Sequence, residues 1–197
     1  MNSVRAFIAI SIPATKQTQI YKETAPLRAQ IDSHLVRWVP AKNIHLTLKF
    51  LGDTPTDKLD ILKELLAKET AKLAPFVISI KNVGVYPTLS RPSVIWAGVD
   101  GNENLLTLNR CAEKVASQIG SVPEKRPFSA HLTLGRVTRN GYTSKARGQI
   151  RKAIEESPLY DFGSVNISAV DLFQSELKRT GAEYRSLFEA NLGDFFD

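Results

Sequence analysis

The 197-residue chain is predicted to fold as α+β with two similar halves, on three observations. Strand-like stretches meet both helices and tight turns, without the regular alternation of a doubly wound parallel sheet. The tetrapeptide His-Leu-Thr-Leu stands at 45–48 and again at 131–134, nearly half a chain apart, which marks a duplicated unit. No linker clearly divides the chain. A single domain over 1–197 is therefore expected, built of two intertwined lobes with one motif each.

The elements follow in order. Val4–Ile12 reads as a strand through Phe7, Ile8 and Ile10. From Ala14 to about Thr24 the chain is polar and helix-prone, and Pro26 is expected to end or kink it. Trp38-Val39-Pro40 opens a short extended stretch, and Ile44–Leu51 is the next strand. Thr54-Pro55-Thr56-Asp57 reads as a helix start, with Thr54 capping, Pro55 at the first helical position and Asp57 at the positive end. Leu59, Leu62, Leu65 and Leu66 then recur at helical spacing. Phe76–Val85 and Ser93–Val99 read as strands around a Pro/Ser-containing turn. Leu105, Leu108, Ala112, Val115 and Ile119 mark a helix that Gly120 stops. His131–Val137 is a strand, Ser144–Glu156 a helix weakened by Gly148, and Val165–Phe173 and Tyr184–Ala190 are closing strands.

Composition excludes several classes of function. The longest apolar run near the N-terminus, Ala6–Ile10, is too short for a signal peptide or a membrane span, so a cytoplasmic location without membrane association is expected. The single cysteine, Cys111, cannot form an intramolecular disulfide or a cysteine-based zinc site. It is expected to be a small, inert, buried or half-buried side chain. Three histidines are too few for a dedicated metal cluster beside the motifs, so no metal or cofactor is expected. No paired carboxylates accompany the motifs, which argues against glycosidase and two-metal nuclease chemistry. No Gly-rich Lys-Ser/Thr phosphate loop is present.

The motif has a physical reading. On a strand, His45 and Thr47 share one face while Leu46 and Leu48 point the other way into a core, and His131 and Thr133 behave alike. Packed about a pseudo-twofold axis, the two pairs face one another across a groove. Imidazole titrates near 6.5, so one histidine can accept a proton while the other donates one. Each such transfer is typically worth about 10²–10⁴ in rate. The Thr47 and Thr133 hydroxyls can donate hydrogen bonds to developing negative charge. The third histidine, His34, lacks a threonine two residues on and is expected to be a surface or capping residue.

Charge points to the substrate. The net charge is +6. Segments 33–52 and 125–154 together contain 11 of the 26 basic residues and none of the 20 acidic ones. Both motifs lie inside these windows, so the site should bind an anion, phosphate above all. Arg136, just past Gly135 at the end of the second motif strand, is placed to fork onto a phosphate. Lys49 belongs to the first window and is taken as substrate-binding. Phe50 is either a base-stacking residue or core. The run from Lys145 to Lys152 either holds an RNA strand or is the wet face of a helix.

At these residues the chain resembles the 2H phosphoesterase superfamily, and within it the bacterial and archaeal RNA 2′,3′-cyclic phosphodiesterases, historically called 2′-5′ RNA ligases. Arg5–Ala9 resembles the family's first strand. Arg37-Trp38-Val39 with Asn43–Gly52 resembles its first motif block. Gly84, Tyr86-Pro87, Arg91-Pro92 and Trp96 resemble the central hairpin. Phe128 and His131–Arg136 resemble the second block, and Ser175-Glu176-Leu177, Gly181 and Tyr184 the closing hairpin. Ala130 departs from the proline that many members carry there.

The resemblance implies a bilobal α+β fold, with antiparallel sheets lining a central groove and helices outside. It implies metal-independent hydrolysis of RNA 2′,3′-cyclic phosphate ends, tRNA fragments among them, to 2′-phosphomonoesters, without an obligate protein partner. It gives His45 as proton donor and His131 as proton acceptor, with Thr47, Thr133 and Arg136 on the phosphate. The 2′-5′ ligation of tRNA halves is related chemistry run toward synthesis. Two other readings stay open. One is a phosphodiesterase for small cyclic nucleotides or ADP-ribose 1″,2″-cyclic phosphate. The other is a non-catalytic RNA-binding module.

Overall fold

The computed structural model describes residues 2–178 and 181–193. Among these residues nine strands alternate irregularly with five α-helices: β1 (Ser3–Ser11), α1 (Ala14–Glu23), α2 (Ala25–Ala29), β2 (Val36–Trp38), β3 (His45–Pro55), α3 (Leu59–Thr70), β4 (Phe76–Tyr86), β5 (Val94–Asp100), α4 (Glu103–Gln118), β6 (His131–Val137), α5 (Ser144–Glu155), β7 (Asp161–Ile167), β8 (Ala169–Lys178) and β9 (Gly181–Asn191). Every strand pairing is antiparallel. The order across the sheet is β7-β4-β5-β6-β3-β1-β8-β9, with β2 also on β6. The predicted α+β class is the one observed.

The sheet is two four-stranded halves meeting at β3 and β6, which share one register pair, Leu46 with Leu132. Outward from that seam the halves match residue for residue. On one side Ser11, Ile10 and Ala9 lie opposite His45, Leu46 and Thr47. On the other Gly98, Ala97 and Trp96 lie opposite His131, Leu132 and Thr133. Both ladders then slip by one residue at the same place, between Ile8 and Ala9 and between Ile95 and Trp96. The duplication seen in the tetrapeptide thus extends to a β-bulge three residues past each histidine. The chain crosses between halves: β1, β3, β8 and β9 form one, and β4 to β7 the other.

Helices cover the leucine side. α4 starts where the Asn102 side chain accepts the Leu105 N–H at 3.1 Å, and it buries Leu105, Leu108, Ala112, Val115 and Ala116. Asn109 of α4 donates to the Leu48 carbonyl at 2.9 Å, and Thr70 of α3 to that of Asn191 at 3.0 Å. These two helices therefore close the half that holds β3 and β9. α5 is capped by Thr143, which accepts the Ala146 N–H at 3.2 Å, and it packs on β4 in the other half. α1 reaches that half too, with Lys16 donating to the Phe162 carbonyl. Ile8, Ile10, Leu46, Ile95, Ala97 and Leu132 are at most 1% exposed beneath these helices.

Four boundaries differ from the expectation. Thr54 does not cap a helix: β3 continues through Pro55, because Ser3 and Val4 of β1 pair with Pro55 and Thr54. The helix begins only at Leu59, after a short 3₁₀ turn at Thr56–Lys58. Pro26 does not end α1, which stops at Glu23; it sits in the first turn of α2, where its missing N–H costs nothing. The single strand expected over Val165–Phe173 is two, broken at Ser168, with β7 and β8 in opposite halves. Cys111 is half-buried, and burial pushes its thiol up to about 11, as expected of an inert side chain. His34 is exposed, and its carbonyl accepts from the Thr138 hydroxyl at 2.7 Å.

Candidate active site

The Leu46–Leu132 pair brings the two motifs onto one face. Counting outward along antiparallel strands, His45 stands across from Thr133 and Thr47 across from His131. The leucines point to the helices and are fully buried, and the four histidine and threonine side chains are half-buried on the opposite face.

Each imidazole is held in the same way. His45 Nδ1 donates to the Asn43 carbonyl at 2.8 Å, and His131 Nδ1 to the Ser129 carbonyl at 2.7 Å. A carbonyl can only accept, so Nδ1 carries a hydrogen in both rings and Nε2 is left for a ligand. Each ring also meets a tyrosine edge-on. Tyr184 lies 5.1 Å from His45 at 86°, and Tyr86 lies 5.0 Å from His131 at 80°. Tyr86 is anchored by its hydroxyl, 2.6 Å from Ser129 Oγ. Asn43 ties the His45 turn to the β8–β9 hairpin, with its amide donating to the Ala182 carbonyl at 2.8 Å.

Both histidines are pushed below the ordinary imidazole range. Burial is the main cause for each; the carbonyl bond opposes it, and the positive charge of Arg136 adds to it. His45 also feels His131. The strand register sets Arg136 on this face as well, where it is exposed. That position depends on the bulge. By strict alternation a residue five past His131 faces the leucine side. The slip between Ile95 and Trp96 absorbs one residue, so Arg136 returns to the histidine face while Leu134 and Val137 stay buried.

Phe50 holds the position in β3 that Arg136 holds in β6, and it is 63% exposed. Its ring is 6.2 Å from that of Phe7, which also packs against His45, Phe173 and Tyr184 at 5.0–5.2 Å. Phe50 is therefore not a core residue. It extends an aromatic platform on the His45 side, next to a cavity of about 290 Å³ whose walls include Gln17, Lys42, Phe173 and Tyr184.

Lys49 does not join this face, which corrects its reading as substrate-binding. The matching slip between Ile8 and Ala9 turns it inward, where it is 5% exposed. Its ammonium donates to Glu113 Oε2 at 2.7 Å and to the Val122 carbonyl at 2.8 Å. The basic run on α5 is largely the wet helix face: Arg151 and Lys152 pair with Glu155 and Glu156 just beyond the acid-free window. Sequence reasoning did not single out Tyr86, Tyr184 or Asn43 as site residues. One chain offers no spacing that links them to the histidines.

Among the described residues no three His, Cys, Asp or Glu side chains gather into a metal site. One carboxylate, Asp171, is buried on β8, with its oxygens taken by the Ser11 and Ser186 hydroxyls at 2.6 and 3.0 Å. Two oriented imidazoles, two hydroxyls and a guanidinium on one face suit proton transfer around a phosphate.

This architecture and its paired histidines define a LigT-like phosphoesterase of the 2H superfamily, and the chain belongs to that family. The family described as LigT-like phosphoesterase matches residues 10–96. A protein of Methanothermobacter thermautotrophicus named RNA 2′,3′-cyclic phosphodiesterase is 31% identical over 93% of this chain and 96% of its own length. One of the same name from Methanocaldococcus jannaschii is 31% identical over 94% and 99%. Among solved structures, that of E. coli LigT complexed with 3′-AMP aligns with a TM-score of 0.76 and 26% identity, over 97% of this chain and 99% of that one.

Proposed function

We propose that the enzyme hydrolyses 2′,3′-cyclic phosphate ends of RNA to 2′-phosphomonoesters by acid–base catalysis between His45 and His131. The observation that carries this is the matched pair of imidazoles, each fixed through Nδ1 to the carbonyl two residues upstream and set about the Leu46–Leu132 seam. The family and the names of its members support the substrate.

In the proposed step, His131 Nε2 takes a proton from water as the water oxygen bonds to phosphorus. The bond from phosphorus to the 3′ oxygen breaks, and His45 Nε2 delivers a proton to that oxygen. Thr47 and Thr133 donate hydrogen bonds to the non-bridging oxygens, and Arg136 balances the added negative charge. Phe50 stacks on a base of the RNA. No metal takes part. The whole chain acts as one domain whose two lobes each bring one motif. With the 5′ hydroxyl of a second RNA strand attacking phosphorus in place of water, the same displacement of the 3′ oxygen joins strands, including tRNA halves, through a 2′-5′ linkage. Among the described residues no helix is long and apolar enough to cross a membrane, and we place the enzyme in the cytoplasm.

The test is phosphorus NMR on an oligoribonucleotide ending in a 2′,3′-cyclic phosphate, in excess chelator. Wild type should replace the cyclic signal with a 2′-phosphate, and His45→Ala and His131→Ala should each leave it. An unchanged cyclic end with wild type overturns the reading.

A further inference from the structure

Arg136 has a neighbour that the two-histidine chemistry does not use. β2 is three residues long and pairs with β6 so that Arg37 stands directly opposite Arg136. Directly opposed residues of an antiparallel pair share a face and have Cα atoms roughly 4.5–5.5 Å apart. Both side chains are exposed. Among the described residues neither takes part in an ion pair. Segment 33–52, which supplies Arg37, contains no acid, and neither does 125–154.

Two like charges set face to face across a ladder destabilise it, and here the fold builds the juxtaposition in. Gly135 is the device. A Cβ at Gly135 would lie 2.7 Å from Val36 Cγ1 and 2.9 Å from Trp38 Cε3. Val36 and Trp38 point to the core side and can close over β6 only because residue 135 has no side chain. Their approach puts Arg37, between them in sequence, on the opposite side beside Arg136. The Val39 N–H to Leu134 carbonyl bond, at 2.8 Å, and the Thr138 N–H to Leu35 carbonyl bond, also at 2.8 Å, fasten both ends of the segment. A short strand tied at both ends thus displays one unpaired cation beside another.

Arg136 follows His131 on β6, and Arg37 stands beside Arg136 on β2, which flanks β6 on the same side as β3. A single reacting phosphate occupies the reach of Arg136. The second guanidinium suits a second anion displaced by about one strand spacing, 4.7–4.9 Å or somewhat more. On an RNA end the next anion is the phosphodiester on the 5′ side of the terminal nucleotide. We propose that Arg37 holds this neighbouring phosphodiester, so that the enzyme takes the end of an RNA chain in preference to a cyclic mononucleotide. The inference rests on the cyclic-phosphate reading above and adds to it the length of the substrate.

The test compares Arg37→Gln and Arg37→Lys with wild type on two probes: a nucleoside 2′,3′-cyclic monophosphate and a labelled oligoribonucleotide with a 2′,3′-cyclic end. The ratio of kcat/KM, oligomer over mononucleotide, should fall about tenfold in Arg37→Gln and far less in Arg37→Lys, which keeps the charge. Oligomer binding by fluorescence anisotropy should lose about 0.7 from its log–log salt slope in Arg37→Gln. An unchanged ratio with an unchanged slope overturns the proposal, as does an equal loss on both probes. A wild type that hydrolyses neither probe sinks the cyclic-phosphate reading, and the salt slope still decides whether Arg37 contacts the chain.

Discussion

Leu46 and Leu132 face each other across the middle of the sheet, each 0% exposed, and they are the one register pair between β3 and β6. The local twofold relation of the halves runs through this pair. Its position sets the separation of the two imidazoles, because His45 and His131 are the residues just before it on each strand. Apolar packing on the helix side thus holds the geometry of the polar side.

Truncating that seam should uncouple the halves. Leu132→Ala removes a fully buried side chain, and such changes cost about 2–5 kcal/mol depending on how far the cavity collapses. Urea unfolding should show a loss in this range. In the fraction that remains folded, kcat should fall together with stability, since misplacing a reacting group by about 1 Å can cost about 10²-fold. A stable variant with full activity would show that the β3–β6 contact is not what fixes the site.

The roles of the histidines can be separated by the leaving group. A cyclic end carrying sulfur in place of the 3′ oxygen leaves as a thiolate, which needs little protonation. His45→Ala should therefore recover much of its lost rate, on the order of the 10²–10⁴ that a general acid supplies, on the sulfur substrate. His131→Ala should stay impaired on both. Recovery by His131→Ala instead would exchange the two assignments.

Activity should peak on the acid side of ordinary imidazole titration. Burial first, and then Arg136, push both histidines below 6.5 in the free enzyme. The base must be neutral, so kcat/KM falls as pH drops through its lowered value. The acid must be charged, so kcat/KM falls as pH rises through its own. Both limbs of the bell thus lie low. Arg136→Gln removes a positive charge that disfavours both imidazolium forms, so both limbs should move to higher pH while the maximum drops. Stability has the same sign: the unfolded chain binds protons more tightly at these histidines, so stability is lost as pH falls below 6.5. A pH–rate profile of the two proteins checks the shift.

Much of this was legible in the sequence because local pattern and tertiary context agree. The pattern of His131–Val137 predicts the strand β6 from end to end, and the duplicated His-Leu-Thr-Leu announces both the halves and the shared face. The failures have physical causes. Thr54-Pro55 carries a good helix-start signal, but Ser3 and Val4, some fifty residues away, recruit it into a ladder. The sequence analysis expects Arg136 on the phosphate, and the structure sets it on the histidine face through a bulge that strict alternation does not foresee and that has no signature beyond Gly135. Its twin in β3 has no glycine at all, with Lys49 at the matching position. The tyrosines that meet the histidine rings arrive from β4 and β9, through pairings that no single sequence displays.

Lys49 gives the last prediction, because its partner lies outside every local window. The acid-free segment around it suggested a free cation, but Glu113 of α4 meets it 64 residues further on. The two ends of this pair are not equivalent. The lysine side chain is 4% exposed and the glutamate 26%. Removing the lysine leaves a carboxylate that can turn to water, whereas removing the glutamate leaves a buried ammonium with only the Val122 carbonyl. Breaking a buried pair from one side typically costs about 3–5 kcal/mol when the remaining charge cannot escape. Glu113→Ala should approach the lower part of that range in urea unfolding. Lys49→Met, whose stem fills the same space, should cost about 1 kcal/mol, the scale of a net hydrogen bond. The folded Lys49→Met protein should keep the wild-type KM for cyclic-ended RNA, because its ammonium points away from the histidine face. A KM that rises tenfold with unchanged stability would return Lys49 to the substrate.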